Sequence, residues 1–213
     1  MDRVLVTGAS DRVSIGDYVA AFDTSPLAEF SALAPWELTA RSAEVVRRLL
    51  AGLADGYAIA DDVAVHATAR IERGATLKGP AIVGPHCTIA AGAYVRDGCW
   101  LDAQCTLGPG VELKSAFLFA STRLAHFNFV GDSIVGSDVN LEAGAIVANI
   151  RNDGPDARIV IHADGRRFDT GARKFGAVIG DGARIGANAV IAPGALLRPR
   201  IVVPRLGLVD QGV

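Results

Sequence analysis

Side chains that accept a proton near neutral pH are scarce in this chain, which has four histidines in 213 residues. His126 lies in the stretch AHFNFVGD, residues 125–132, set among short apolar–glycine phrases. An imidazole titrates near ~6.5, so it suits general-base chemistry. His66, His86 and His162 stand at unrelated positions, and no H-x4-H spacing occurs. The three cysteines are Cys87, Cys99 and Cys105. An odd number without a CxxC pair points away from a disulfide framework and from a zinc site. Asp132, in Gly-Asp, reads as a corner residue, and Trp100 as a packed surface ring rather than a platform for a base.

These groups must be carried by something regular. The chain is 50% hydrophobic but only 6% aromatic, with 24 glycines, which suits a repetitive core of small and aliphatic side chains. Its net charge is −2 and no run of lysines or arginines occurs, so neither nucleic acid nor an anionic membrane is an expected partner. The opening MDRVLVTGAS lacks the layout of a secretory signal, and no apolar run reaches spanning length. A cytoplasmic location is expected.

The regularity is a period of six. Ile59, Val65, Ile71, Leu77, Val83, Ile89, Val95, Leu101, Leu107 and Leu113 follow one another at that spacing. After a one-residue slip it resumes at Leu118, Leu124 and Val130, and after another at Val135, Leu141 and Val147. It returns at Ile179, Ile185, Ile191 and Leu197. Six excludes a helix and fits strand alternation broken by a corner in every unit. Two residues before each aliphatic stand Ala69, Ala75, Ala81, Cys87, Ala93, Cys99 and Cys105, so the cysteines read as small core residues. Gly74, Gly84, Gly92, Gly98, Gly108 and Gly110 read as corner residues with left-handed backbone angles.

This pattern resembles the hexapeptide repeat, which implies an all-β fold, the left-handed parallel β-helix, over residues 57–150 and 174–200. Residues 1–56 read as an N-terminal arm and helical cap, and 57–213 as the β-helix domain with an insertion at 151–173. VLVTGAS (4–10) resembles the start of a short-chain dehydrogenase, but Arg12 and Ser14 replace the expected glycines, so it reads as a short strand or arm. Pro26 and Pro35 mark helix starts. Trp36, Leu38, Val45, Val46, Leu49, Leu50 and Leu53 form a stripe ended by Gly56, which predicts a longer helix at 35–54 closing the N-terminal end of the prism. ARIVIHADGRRFDTG predicts a hairpin around Asp164-Gly165, projecting from a coil. The charges of Arg166, Arg167 and Arg173 fit a binding loop or a solvated face equally.

Residues 112–149, followed by RKFGAVIGDG at 173–182, resemble one acyltransferase domain. It is the acetyltransferase domain of the bacterial bifunctional N-acetylglucosamine-1-phosphate uridyltransferase/glucosamine-1-phosphate acetyltransferases. The resemblance implies that His126 is the catalytic base and Glu112 the carboxylate that orients it. Arg96 and Lys114 match the pair that binds the sugar phosphate. Asn140 and Asn149 match the asparagines that position sugar and acetyl group, Ala143 the backbone N–H facing the oxyanion, and Lys174 a basic residue beyond the asparagine coil. An amine attacking a thioester must lose a proton, Arg and Lys suit a phosphate dianion, and a fixed N–H stabilises the tetrahedral oxyanion.

The chain departs from that family in places. Phe129 and Ile150 stand where the family has tyrosines, Ala187 replaces a serine on the CoA path, the insertion falls beside the site, and the last coils look shortened after Leu197. No Gly-rich nucleotide loop is present, so nucleotidyl transfer by this chain is not expected. The expected function is acyl transfer from acetyl-CoA or another thioester to an amino-sugar phosphate or nucleotide sugar, by a homotrimer and without a metal. Two alternatives remain open. One is a non-catalytic sugar-phosphate-binding scaffold; the other is a lipid A type acyltransferase using acyl carrier protein.

Overall fold

A computed structural model describes residues 12–154, 157–163 and 165–211. The arm at 4–10 and Asp164 of the hairpin turn lie outside these residues. Short strands of two to four residues alternate with corners and wind into a three-sided parallel prism. Face one has eight strands, and its first, Tyr57–Ala60, is antiparallel to Val63–His66. Faces two and three have seven each, so among the described residues the prism has seven coils. Face two runs from Arg70–Ile71 to Val202–Val203, and face three from Thr76–Leu77 to Leu208–Val209.

The predicted inward residues form the core. Val83, Leu101, Leu118, Val135, Ile179 and Leu197 stack in register on face one, and Ala81, Cys87, Ala93, Cys99 and Cys105 fill the spaces between columns. Two boundaries differ from the sequence reading. Ile59 is 57% exposed, because it belongs to the antiparallel strand, which turns at Asp61 and Asp62 with positive φ at both. A two-residue turn of this kind matches strand twist. The repeat also runs past residue 200: Val203 and Val209 continue the spacing from Leu197 and close the last coil.

The corners use two devices where the sequence suggested one. Gly74, Gly92, Gly98 and Gly110 take positive φ, and so do Asp97, Gln104, Ser115, Phe127 and Asp132. Gly84 and Gly108 do not. Gly108 is glycine because a Cβ there would sit 1.5 Å from the Ala125 carbonyl oxygen of the next coil.

The helical region does not close the end of the prism. It lies against face one, whose outward column is apolar from top to bottom: Ala64, Ile82, Trp100, Phe117, Ile134, Val178 and Leu196. Phe22, Leu27, Leu38, Val45 and Val46 bury this column in a second core. Trp100 is therefore a core ring, 5% exposed and 5.2 Å from Phe119. The predicted 35–54 helix is two helices, α1 (Pro35–Ala40) and α2 (Ser42–Leu50), broken at Arg41. Pro35 opens α1, and the Glu37 side chain accepts from the Ala34 N–H at 2.8 Å. The insertion lies on the same face. Its strands Val160–Ala163 and Arg166–Asp169 pair antiparallel, while Ile159, Ile161 and Phe175 join the second core beside Trp36.

Three measurements check this packing. Gly98 has φ +91, and a Cβ there would lie 2.4 Å from the Ala43 amide nitrogen at the start of α2. Gly98→Ala should lower stability by about 1–3 kcal/mol in thermal or denaturant unfolding, whereas Gly154→Ala, with nothing within 4 Å, should stay within about 0.5 kcal/mol of wild type. Burial pushes the Cys99 thiol up to about 12, and all three cysteines are buried. None should react with a disulfide reagent at pH 8 until the chain unfolds. Above the ordinary thiol value of ~8.5 the unfolded chain loses a proton that folded Cys99 keeps, so stability should fall as pH rises from there toward 12.

Candidate functional site

The candidate residues gather at two corners of the prism and on the faces they bound. On face three, Tyr94, Glu112 and Phe129 form one outward column and Arg96, Lys114 and Gly131 the next. The corner between faces two and three carries His126, and Ala143 one coil further along. The corner between faces three and one carries Asp97, Ser115 and Asp132, and leads from Asn149 into the insertion.

His126 is exposed, and among the described residues its ring makes no hydrogen bond or ion pair. Its backbone is fixed: the Gly144 N–H donates to the His126 carbonyl at 2.8 Å. Asn128, at an inward position usually held by a small apolar residue, donates to the carbonyls of Glu142 and Ala145 at 2.8 and 3.1 Å. That side chain ties the His126 corner to the Ala143 corner, and sequence reasoning missed it.

At Ala143 the repeat supplies its own control. The equivalent amide of Ala91 donates to the Glu72 carboxylate at 3.0 Å, and that of Ala187 to Glu142 at 2.8 Å. The coil before Ala143 has Ala125 in place of that glutamate, and among the described residues the Ala143 N–H has no partner. An unpartnered donor and an unpartnered imidazole thus sit at the same corner in adjacent coils.

Glu112 is not joined to His126. It accepts from Arg96, with Nε at 2.9 Å and Nη2 at 2.7 Å, while Arg96 Nη1 donates to Asp97 at 2.6 Å. Lys114 donates to both Asp132 oxygens at 3.0 Å and lies 3.2 Å from Ser115 Oγ. This pair is well shielded, with side chains 12% and 6% exposed. Asn149 Nδ2 also donates to Asp132. So Asp132 turns its corner as the sequence suggested, at φ 47, and also gathers two candidate residues. The one-residue slips at 113–118 and 130–135 shorten the corners that hold Ser115 and Asp132, and this draws both side chains inward.

Asn140 lies apart from this cluster. It is on face two, in a cleft of about 300 Å³ with Glu142, Arg184 and Arg205. Arg205, and then the Ala187 N–H, hold the Glu142 carboxyl below the usual range. Lys174 is exposed and lines a separate cavity of about 520 Å³ with Ile150, Arg151 and Arg173, between the two stems of the insertion. The base of that loop is closed by the Phe175 N–H donating to the Asn149 carbonyl at 3.0 Å. Among the described residues no cluster of three His, Cys, Asp or Glu side chains suits a metal ion, and no helix is long and apolar enough to cross a membrane.

No protein-family model matches the chain. It is 32% identical over 145 residues to a bifunctional sugar-1-phosphate nucleotidylyltransferase/acetyltransferase of Sulfurisphaera tokodaii, covering 68% of this chain and 36% of that protein. It is 33% identical over 121 residues to the bifunctional protein GlmU of Methanococcus vannielii, covering 57% and 28%. The chain thus spans about a third of these relatives' length. Among solved structures it superposes on a hexapeptide transferase family protein from Anaplasma phagocytophilum with a TM-score of 0.51, at 14% identity over 68% of this chain and 75% of that one. The six-residue repeat and the three-sided parallel prism give the chain a hexapeptide-repeat β-helix fold, the fold it shares with that solved structure.

Proposed function

We propose that this chain transfers an acetyl or other acyl group from a thioester such as acetyl-CoA to the amine of an amino-sugar phosphate or nucleotide sugar. His126 is the general base. The observation that carries this reading is the free imidazole of His126 one coil from the free N–H of Ala143, at a corner where the equivalent N–H of Ala91 and of Ala187 is spent on a glutamate. The sequence relatives, named as sugar-1-phosphate nucleotidylyltransferase/acetyltransferase and GlmU, support it.

The acceptor phosphate lies along face three. Arg96 keeps two of its five guanidinium N–H groups outside its bonds to Glu112 and Asp97, Lys114 adds its field, and Lys174 stands beyond Asn149. The thioester approaches from the Asn140 cleft on face two, so donor and acceptor meet at the corner between the faces. The amine nitrogen attacks the thioester carbonyl and passes its proton to the His126 imidazole. The Ala143 N–H stabilises the oxyanion. Collapse breaks the C–S bond, and the imidazolium returns the proton to the departing thiolate. Glu112 acts here by holding Arg96. A homotrimer is part of the proposal.

One observation favours the alternative of a binding scaffold: Glu112 is bonded to Arg96 rather than to the base. Thiol release from acetyl-CoA on adding glucosamine-1-phosphate separates the two. His126→Ala should lower kcat by about 10²–10⁴-fold in a chain that still folds; equal rates in both proteins remove His126 from the mechanism. Ala125→Glu rebuilds the arrangement seen at Ala91 and Ala187, and filling the Ala143 N–H should cost about 10²–10³-fold in kcat with unfolding unchanged. No loss in that variant rules out the oxyanion role. Light scattering on the same samples should give the mass of three chains, and one chain's mass rejects the trimer.

A further inference from the structure

We propose that Asp132 is a positioning residue whose single carboxylate fixes the Asn149 amide relative to Lys114. This deepens the acyl-transfer reading and rests on it for its kinetic consequences. Asp132 lies on the shortened corner between faces three and one, and its backbone is held from both sides. Its N–H donates to the Lys114 carbonyl at 2.8 Å, and its own carbonyl accepts from Gly176 at 2.9 Å. The side chain is therefore presented from a fixed point, 6% exposed. Lys114 Nζ lies 3.0 Å from each oxygen, and Asn149 Nδ2 donates to the second.

Asn149 needs such a partner. It stands where the chain leaves the prism for the insertion, and among the described residues its one backbone tie across the loop is the bond from Phe175. Gly131 leaves room for its amide, since a Cβ there would lie 2.7 Å from Asn149 Nδ2. With space on one side and a long loop on the other, the amide is oriented by the Asp132 carboxylate. Lys114 pairs with that carboxylate and aligns it in a shielded place, where an unpaired charge is costly. The geometry thus makes Lys114, Asp132 and Asn149 one unit spanning three coils at the mouth of the insertion.

Asp132→Asn tests this, because it keeps the shape but removes the charge and sets an NH2 group against Lys114 Nζ, so the carboxylate shared by Lys114 and Asn149 is lost. In the full chain, thiol-release kinetics are measured for wild type, Asp132→Asn, Asn149→Ala and the double variant. Misorientation of the amide should lower kcat by on the order of 10-fold or more with the KM for the thioester unchanged, and Asp132→Asn should add less than about twofold to Asn149→Ala. Additive losses, or an effect confined to the KM for the sugar phosphate and matched by Lys114→Met, overturn the proposal and leave Asp132 as a counter-ion. A second readout does not need activity. The Asn149 side-chain amide resonance, assigned through Asn149→Ala, should be displaced from solvent-exposed amides in wild type and return to their range in Asp132→Asn. A wild-type resonance already in that range overturns the proposal. A wild type that releases no thiol sinks the acyl-transfer reading instead, and the resonance still decides what holds Asn149.

Discussion

Everything in this molecule hangs on the hydrogen-bond ladder between successive coils. Each strand pairs in register with the same position one coil up and one coil down, as Glu112 does with Tyr94 and Phe129, so side chains advance in columns about 4.8 Å apart. A column can be altered one residue at a time without disturbing its neighbours. The candidate site is made this way, by omission as much as by addition. Where Glu72 and Glu142 satisfy the amide of the following coil, Ala125 leaves that of Ala143 open. Where other corners have six-residue spacing, two are one residue short and carry Ser115 and Asp132 inward.

The same ladder made the inner core legible. A strict spacing of six identified Val83, Ile89 and Val95 as inward, and the small residues two before them, cysteines included, as their packing partners. The second core was harder to read, because its signal lies in the outward column of face one and has a period of a whole coil. Ala64, Ile82, Trp100, Phe117 and Ile134 are apolar where face two carries Arg70, Thr88, Thr106 and Arg123. Compared one face at a time, that contrast shows which wall is covered, and so where α1 and α2 go. The helix break at Arg41 and the continuation to Val209 left weaker marks, since local propensity does not announce either.

For the site, the positions were legible and the pairings were not. The spacing of Glu112, Lys114 and His126 sets their columns and corners, but which carboxylate meets which cation depends on side-chain reach across coils. Glu112 turns to Arg96 because the guanidinium lies one coil before it on the same face. Lys114 turns toward the shortened corner and finds Asp132. The result is a set of cations held in place by internal carboxylates. Under the proposed function, an incoming phosphate would meet groups that are already oriented but whose charge is largely balanced, so it would gain from the N–H directions left over rather than from bare charge.

Face one is buried on both sides, by the prism core within and by the helices and the insertion without. The prism therefore has two bare walls among the described residues rather than three. Any second molecule that lies alongside must use face two, face three or the edge where they meet, and those surfaces hold Asn140, Arg96, Lys114 and His126. On the proposed reading, self-association and substrate access would draw on the same surface. A change that strengthens one contact on these walls alters the room left for the other.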